Sequence, residues 1–408
     1  MTAPTRGGLD VESMLVLIGG ALLVQLGLWH RRFARAIVRE GVPANRLERY
    51  PPISVIRPVR GIDVGAEDNF RAALATSYTG DVETLFVFDD DADPAVPVAR
   101  RIVDEHLASG RSGTAEVVFA GSPPPGRTGK LHAMIVGTHR AHGPLIAFGD
   151  SDTRPAPELL TELVDALLAS PDIGAAFAPV VVSDPPSTSG DVGYAVMINA
   201  LYGPTVARAA GPRGRLPFIM GQLVVFRAEA LAAVGGPACA EGQLVDDMYI
   251  GSCMNRAGYA NVVINRPLTI ANTGTSMRQF LRIYRRWLLF GRNGLPWRFT
   301  WPLWLRGIGA WLAAVLLVVS MTASAGWAAI VASAALVGQG ASLTRLHEHF
   351  GGAPIPVRLR WMTIVMFLLA PLVLASMTRR SVEWRGRKYP LRGRAGLTVP
   401  RGTTHTTR

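Results

Sequence analysis

Two acidic residues follow an apolar run in the middle of the chain. Leu145 to Phe148 reads as a buried strand, and it leads into Asp150-Ser-Asp152. Two carboxylates two residues apart at a strand end can approach one hard divalent ion and leave coordination positions for diphosphate oxygens. Such pairs are also common in solvated turns, but the strand before them favours a metal site. We expect Asp150 and Asp152 to bind Mg²⁺ or Mn²⁺.

A second strand pattern, Thr84 to Phe88, ends in four acids: Asp89, Asp90, Asp91 and Asp93. Like charges at one strand end repel one another unless a cation, a nucleotide or water offsets them. A calcium loop is excluded because Pro94 stands where glycine is needed and Arg100 where the bidentate glutamate belongs.

Further candidate residues lie on either side of these acids. Lys130 follows a Pro/Gly-rich loop, where a cation can neutralise a phosphate or a carboxylate. Asp246 and Asp247 precede a helical apolar pattern, where acids are often only caps worth about 1 kcal/mol. The functional interpretation makes one of the two a general base for an acceptor hydroxyl.

The elements that must position these residues form an α/β domain over residues 51–275. Short β-rich runs alternate with stretches at helical spacing, and several runs end in charged or Gly/Pro-rich turns. Open α/β sheets bind ligands just beyond the carboxyl ends of their strands. The two cysteines do not indicate a disulfide framework, which favours a reducing compartment.

The rest of the chain is rich in apolar residues. Hydrophobic residues make up 49% of the sequence and charged residues only 18%. Residues 11–30 are long enough to cross a bilayer, and the arginines that follow them predict an outside N-terminus and a cytoplasmic domain. Residues 307–344 carry no charge and predict two spans with a turn near 322–326. The segment from Trp361 to Met377 is a fourth and weaker candidate for a transmembrane span.

Two basic segments flank these spans. Met277 to Phe290 has apolar and arginine-rich sides, which predicts an amphipathic helix in the membrane interface; a surface helix packed on the domain is the alternative. Of the net charge of +12, nine Lys and Arg and one Glu lie between Arg379 and Arg408. A basic stretch after an apolar segment favours anionic lipid over nucleic acid, and we expect a cytoplasmic tail.

The sequence thus divides into an N-terminal tail (1–10), a transmembrane helix (11–30), a basic juxtamembrane segment (31–50), the α/β domain (51–275), an interfacial helix (276–300), C-terminal transmembrane segments (301–378) and a basic tail (379–408).

The order of these motifs resembles the inverting membrane glycosyltransferases of families 2 and 21. The residues concerned are Asp90, Asp150-Ser-Asp152, Asp246-Asp247 and Arg285-Arg286-Trp287. Two further segments are similar to ceramide glucosyltransferases and bacterial hopanoid-associated glycosyltransferases in particular: Pro52 to Gly61 and Glu383 to Tyr389. The resemblance implies a GT-A fold flanked by transmembrane helices, a UDP-sugar donor, a divalent metal, a lipid acceptor and inversion at the anomeric carbon.

The resemblance also assigns roles to individual residues. Asp90 would contact the uridine and Lys130 would lie near the nucleotide. Asp150 and Asp152 would hold the sugar and the metal-diphosphate, Asp247 would be the catalytic base, and Arg286 and Trp287 would close the site over the diphosphate. Ile283 departs from the family pattern, which has Gln or Arg four residues before the tryptophan.

Several alternatives stay open. The resemblance implies UDP-glucose or a related hexose donor and a membrane lipid such as ceramide as acceptor. A hopanoid-linked or other glycolipid glycosyltransferase, for example one that uses an N-acetylglucosamine donor, is the alternative. A processive polysaccharide synthase shares the fold, but would need more spans and an intact Gln-x-x-Arg-Trp. A channel is disfavoured because the spans carry few polar residues. A non-catalytic, nucleotide-sensing membrane protein is the last alternative. Replacing Asp247 with alanine distinguishes it, because unchanged sugar transfer would remove the catalytic assignment of Asp247.

Overall fold

A computed structural model describes residues 10–35, 47–210, 214–295, 297–369, 381–392 and 396–397. The strands are β1 (Ile53–Pro58), β2 (Val82–Phe88), β3 (Thr114–Phe119), β4 (Leu145–Gly149), β5 (Thr153–Arg154), β6 (Ile173–Phe177), β7 (Val180–Val181), β8 (Arg215–Leu216), β9 (Leu223–Arg227), β10 (Ala260–Val263), β11 (Leu268–Ile270), β12 (Ser381–Trp384), β13 (Arg387–Arg392) and β14 (Gly396–Leu397).

The helices are α1 (Val11–Ala34), α2 (Ala66–Leu74), α3 (Val96–Ala108), α4 (Gly129–Arg140), α5 (Leu159–Leu168), α6 (Ser189–Val196), α7 (Gly203–Ala210), α8 (Ala228–Ala233), α9 (Asp246–Arg256), α10 (Met277–Gly294), α11 (Trp297–Thr322), α12 (Gly326–His349) and α13 (Trp361–Val365). A π-helix spans Met197–Tyr202, and single 3₁₀ turns span Pro237–Ala240 and Val357–Leu359.

An eight-stranded sheet in the order β3-β2-β1-β4-β9-β6-β10-β8 forms the centre of the domain. Strands β1, β2, β3 and β4 are parallel, while β9 runs antiparallel to both β4 and β6. Strands β4 and β6 are buried at every position, as expected for strands covered by helices on both faces. The parallel strands β1, β2 and β4 therefore deliver the residues that follow them to one edge of the sheet. The predicted α/β class is confirmed.

Among the described residues, three helices are long and apolar enough to cross a membrane: Val11–Ala34, Trp301–Thr322 and Gly326–His349. They pack on one another, and Gly19 lets α1 approach closely, since a Cβ there would lie 2.6 Å from Val331 Cγ1. The backbone N–H of Trp327 donates to Glu12 at the end of the bundle far from the α/β domain. The predicted first helix and the predicted pair of helices with a turn between them are therefore present.

The fourth predicted segment is described only in part. Within the described part of Trp361 to Met377, only Trp361–Val365 is helical, and residues 370–377 lie outside the described residues. Met362 and Phe367 are buried in the same apolar cluster as the domain core. In the described residues 361–369, the chain packs as a short helix followed by turns.

The amphipathic helix also packs differently from the interfacial prediction. Phe280, Tyr284 and Trp287, on the apolar side of α10, are buried against the α/β domain. Gly193 of α6 permits this, because a Cβ there would lie 2.7 Å from the Phe280 ring. The apolar side is thus turned to protein, as in the alternative considered above. The helix ends at Gly294, so the predicted 276–300 segment contains the end of one helix and the start of the next.

The basic tail was expected to lie against lipid headgroups, and its described part contacts the α/β domain. Strands β12 and β13 form an antiparallel hairpin, and β14 pairs with β13. The Leu397 N–H donates to the Gly242 carbonyl, and Gly396 bridges to Gln243. The described part of the tail is therefore folded onto the α/β domain. Residues 393–395 and 398–408 lie outside the described residues.

Candidate active site

A cavity of about 350 Å³ opens where β1, β2 and β4 end. Six of the seven predicted site residues line it: Lys130, Asp150, Asp152, Asp247, Arg286 and Trp287. These residues are spread over more than 150 positions of sequence and come from four different elements or turns. The structure therefore brings the predicted acids, the lysine and the helix α10 pair into one cleft.

Asp90 is the exception, and its predicted place is taken by Asp89. Asp90 is exposed, does not line the cavity, and accepts a hydrogen bond from the Ala92 N–H at 3.0 Å. Asp89 is buried, lines the cavity and pairs with Arg60 and with Arg387. The Asp89 carbonyl still accepts from the Gly121 N–H, so strand pairing continues through this residue. Successive side chains of an extended segment point to opposite faces, which turns Asp90 away.

Lys130 is a buried cation among the acids of the cleft. It lies in the first turn of α4, whose N-cap Thr128 accepts from the Leu131 N–H. Its Nζ is 2.5 Å from Asp150 Oδ1 and donates to the Gly221 carbonyl at 3.3 Å. Burial acts to lower the pKa of Lys130, but the nearby carboxylates outweigh it and raise that pKa above its ordinary value. Lys130 is therefore a permanent cation in the cleft.

The first turn of α9 places two carboxyl groups at the floor of the cavity. Asp247 accepts from the Gly221 N–H at 2.8 Å and from the Met248 N–H at 2.7 Å. Asp246 accepts from the Asp247 N–H at 2.8 Å. Burial raises the pKa of Asp247 and raises that of Asp246 to about 6, against the opposing effect of Lys130. A carboxylate whose pKa is moved toward neutral pH is suited to accept a proton from a hydroxyl.

Gly221 is required by this arrangement. A Cβ at this position would lie 2.6 Å from Asp247 Cβ and 3.0 Å from its Oδ2. The next residue, Gln222, lines the cavity. Its Oε1 is buried and has no hydrogen-bond partner among the described residues, so it can accept from a bound ligand.

The acids after β4 fit a cation shared with a diphosphate. Burial, with repulsion from Asp150 and Asp63, raises the pKa of Asp152 to about 6. The described residues contain no cluster of three or more His, Cys, Asp or Glu placed for a metal. Mg²⁺, however, is commonly held by one or two carboxylates together with substrate phosphates. Asp152, with Asp150 beside it, meets that requirement.

Arg57 supports these acids from inside the sheet and was not predicted. It is 1% exposed, and its guanidinium donates to the Asp150 carbonyl at 2.5 Å and to Thr153 Oγ1 at 2.9 Å. Burial lowers the pKa of Arg57 to about 10, which leaves it charged at neutral pH. An arginine inside the apolar β1 strand was the available sequence signal, because unpaired arginines are almost never fully buried.

Helix α10 forms one wall of the cavity and is followed in sequence by the long apolar helix α11. The Trp287 ring packs edge-on against Tyr202, with 4.8 Å between ring centroids, and the Tyr202 hydroxyl donates to the Trp287 carbonyl. Burial lowers the pKa of Arg286, and its Nε has no partner among the described residues. Ile283 lines the cavity while Arg282 is exposed, so Arg282 does not replace the expected Gln or Arg.

The hairpin β12–β13 closes another side of the cavity. Trp384, Arg385 and Tyr389 line it, and the Arg286 guanidinium lies 5.6 Å from the Trp384 ring centroid. Tyr389 accepts from the Gly129 N–H at 3.2 Å. The sequence motif here contributed to the family resemblance, but no reasoning from the residues placed it in the site.

Comparison with known proteins gives a consistent picture. The sequence model "Glycosyl transferase family 21" matches residues 13–396. "Ceramide glucosyltransferase 3" and "Ceramide glucosyltransferase 1" of Caenorhabditis elegans are each 22% identical, over 71% and 69% of this chain and 61% and 59% of their own length. The chain thus spans about three fifths of the length of these curated relatives.

Two solved structures are similar. One is a mannosyltransferase from Pyrobaculum calidifontis in complex with GDP-Man and Mn²⁺, with 18% identity and a TM-score of 0.44 over 88% of this chain and 98% of that one. The other is glucosyl-3-phosphoglycerate synthase from Mycobacterium tuberculosis in complex with Mg²⁺ and UDP, with 20% identity and a TM-score of 0.36 over 60% of this chain and 80% of that one.

Proposed function

The chain belongs to glycosyl transferase family 21, and on that premise we propose that it moves a hexose from a UDP-sugar to a hydroxyl of a membrane lipid such as ceramide. The observation that carries the proposal is the placement of Asp247. It lies in one cavity with Lys130, Asp150, Asp152 and Arg286, beside helices long enough to span a bilayer.

The geometry accounts for the chemistry. The bond between sugar and diphosphate breaks through an oxocarbenium-like state, and the leaving diphosphate gains negative charge. Arg286 and Lys130 supply positive charge in a partly buried cleft, where fixed charges are worth more than in water. Asp150 and Asp152 would hold a divalent metal, which would add charge at the diphosphate.

Asp247 removes the proton from the attacking hydroxyl. Its two carboxylate oxygens are oriented by the Gly221 and Met248 N–H groups, which fixes the direction in which the group accepts a proton. A single displacement opposite the leaving group inverts the anomeric carbon, so an α-linked donor gives a β-linked lipid. The elevated pKa of Asp247 makes the carboxylate a stronger base than a surface aspartate.

The acceptor is proposed to be a lipid because of the position of the cleft. Trp287, Ile283 and Phe290 form its apolar side on α10, which ends at Gly294, and the long apolar helix α11 begins at Trp297. The similarity to ceramide glucosyltransferases supports a sphingoid acceptor. The cytoplasmic orientation of the domain is part of this proposal and follows from the arginines after α1.

The test is a transfer assay on detergent-solubilised protein. A panel of radiolabelled UDP-sugars is incubated with ceramide or with total membrane lipid, with and without EDTA, and the lipid products are identified. We expect one donor to label a lipid, with EDTA removing the labelling. Absence of any labelled lipid from every donor and acceptor would contradict the proposal.

A further inference from the structure

The tip of the C-terminal hairpin has an unusual backbone. Trp384 pairs with Arg387, so the turn between β12 and β13 consists of Arg385 and Gly386 alone. Both are in the left-handed region, with φ of 51° and 72°. Tight hairpin turns of this kind favour Asn or Asp before Gly, and the left-handed region costs another residue about 1–2 kcal/mol. Residues held in such conformations cluster at ligand-binding sites.

The turn directs Arg385 at the acids of the cleft. Its guanidinium forms an ion pair with Asp63, and its Nη2 lies 3.9 Å from Asp152 Oδ2. Its backbone carbonyl accepts from Arg60 Nε at 2.8 Å, which fixes the tip against β1. The neighbouring carboxylates, Asp63 above all, outweigh burial and raise the pKa of Arg385. In the described part of the chain, Arg385 is the only cation within ion-pair distance of Asp152.

The paired cations of the cleft face different acids. Lys130 is paired with Asp150, and Arg387 and Arg60 are paired with Asp89. Arg385 is paired with Asp63 and also lies beside Asp152, the acid proposed to hold the metal-diphosphate. Arg385 lines the cavity, and its side chain is 34% exposed. A guanidinium offers five donors in a planar fork that matches phosphate oxygens.

We propose that Arg385 is a further donor-binding residue: it contacts the diphosphate of the nucleotide-sugar and folds the C-terminal hairpin over the bound donor. This inference rests on the proposed function. Asp63 competes with the diphosphate for the same guanidinium, and the strained tip keeps the arginine in place for the exchange. A segment that follows the membrane helices in sequence thereby completes the donor site of the α/β domain.

The experiment measures binding of UDP and of uridine to the full-length solubilised protein by titration calorimetry. We expect Arg385→Ala to weaken UDP by about 10- to 100-fold, since charged hydrogen bonds to phosphate are among the strong ones, and to leave uridine binding within about twofold. Arg385→Lys should give an intermediate loss. Lys388→Ala removes one positive charge from an exposed position of the same hairpin, and serves as the matched control.

Asp63→Asn distinguishes two roles of Arg385: contact with the diphosphate, and an ion pair with Asp63 that only holds the hairpin in place. If Arg385 binds the diphosphate, removing its competitor leaves UDP binding as tight as in the wild type or tighter. Equal weakening of UDP by Arg385→Ala and by Asp63→Asn would overturn the inference, as would equal weakening of UDP and uridine by Arg385→Ala. Wild-type protein that binds no UDP would refute the proposed function itself, which is a different result from a wild type and an Arg385→Ala variant that bind UDP equally.

Discussion

Replacing Asp247 with asparagine removes the proposed base while keeping nearly the same shape. The carboxylate accepts from two backbone N–H groups, those of Gly221 and Met248. Asparagine has one acceptor oxygen, so its NH₂ group faces one of these donors. Leaving one buried N–H without a partner costs about 1–3 kcal/mol of stability. We therefore expect a folded protein with a modestly lowered Tm.

The catalytic effect should be much larger than the stability effect. A positioned general base contributes about 10²- to 10⁴-fold to the rate, so kcat should fall by that factor. This corresponds to about 3–5 kcal/mol of transition-state stabilisation at 1.36 kcal/mol per tenfold. The affinity for UDP should change by less than about threefold, because the base acts on the acceptor hydroxyl and a general-base role concerns proton transfer alone.

The assay combines initial rates of lipid labelling with calorimetric UDP binding on the same preparation. Asp191→Asn is the matched control for lost stability: Asp191 is a buried carboxylate that accepts from the Thr188 and Thr275 N–H groups and does not line the cavity. It should lower Tm without lowering kcat of the folded fraction. If Asp247→Asn keeps more than about a tenth of the wild-type kcat, which is less than a general base supplies, Asp247 is not the base.

Three further predictions concern the same fold. Asp89→Ala should raise the KM for the donor at least about tenfold, because Asp89 lines the cavity and the loss of a charged hydrogen bond weakens binding by about that factor. Asp90→Ala should keep a KM near the wild-type value, because Asp90 does not line the cavity. A larger KM for Asp90→Ala than for Asp89→Ala in steady-state kinetics would contradict this placement. Activity should rise with pH through about 6, because Asp246, next to the proposed base, has a pKa near 6 and is a carboxylate only above it; a pH–rate profile flat down to pH 5 would contradict this. Asn199→Leu should lower the free energy of unfolding by about 2–4 kcal/mol, because the fully buried Asn199 amide accepts from the Val182 N–H and donates to the Val182 carbonyl. An unchanged Tm in detergent would contradict this prediction.

The sequence predicted the features that depend on local pattern. The apolar run before Asp150 and the uncharged stretch after Gly307 have strong periodic or compositional signals, and both elements are present. The α/β class followed from the alternation of strand and helix patterns, and the placement of Asp150 followed from the rule that ligands bind beyond the carboxyl ends of strands. The convergence of Asp150 with Lys130 and Asp247 was implied by the resemblance to the glycosyltransferase family. These parts needed no knowledge of long-range packing.

The misplaced features depend on contacts that no local pattern encodes. Whether β2 stays extended for one more residue decides between Asp89 and Asp90, and that is set by pairing with Gly121. The apolar side of α10 would suit lipid or protein equally, and the space at Gly193 decides for protein. The basic residues of the hairpin resemble a lipid-binding tail until Arg385 is seen opposite Asp63, more than 300 positions away in sequence.

The anomeric configuration of the lipid product tests the central claim most directly. Lipid glycosylated by the wild-type protein from an α-linked UDP-sugar is purified, and its linkage is determined by proton NMR. One displacement in the cleft, with a single base opposite the leaving group, gives a β-linked glycolipid that Asp247→Asn scarcely forms. An α-linked product, or a β-linked product formed equally well by Asp247→Asn, would contradict the account.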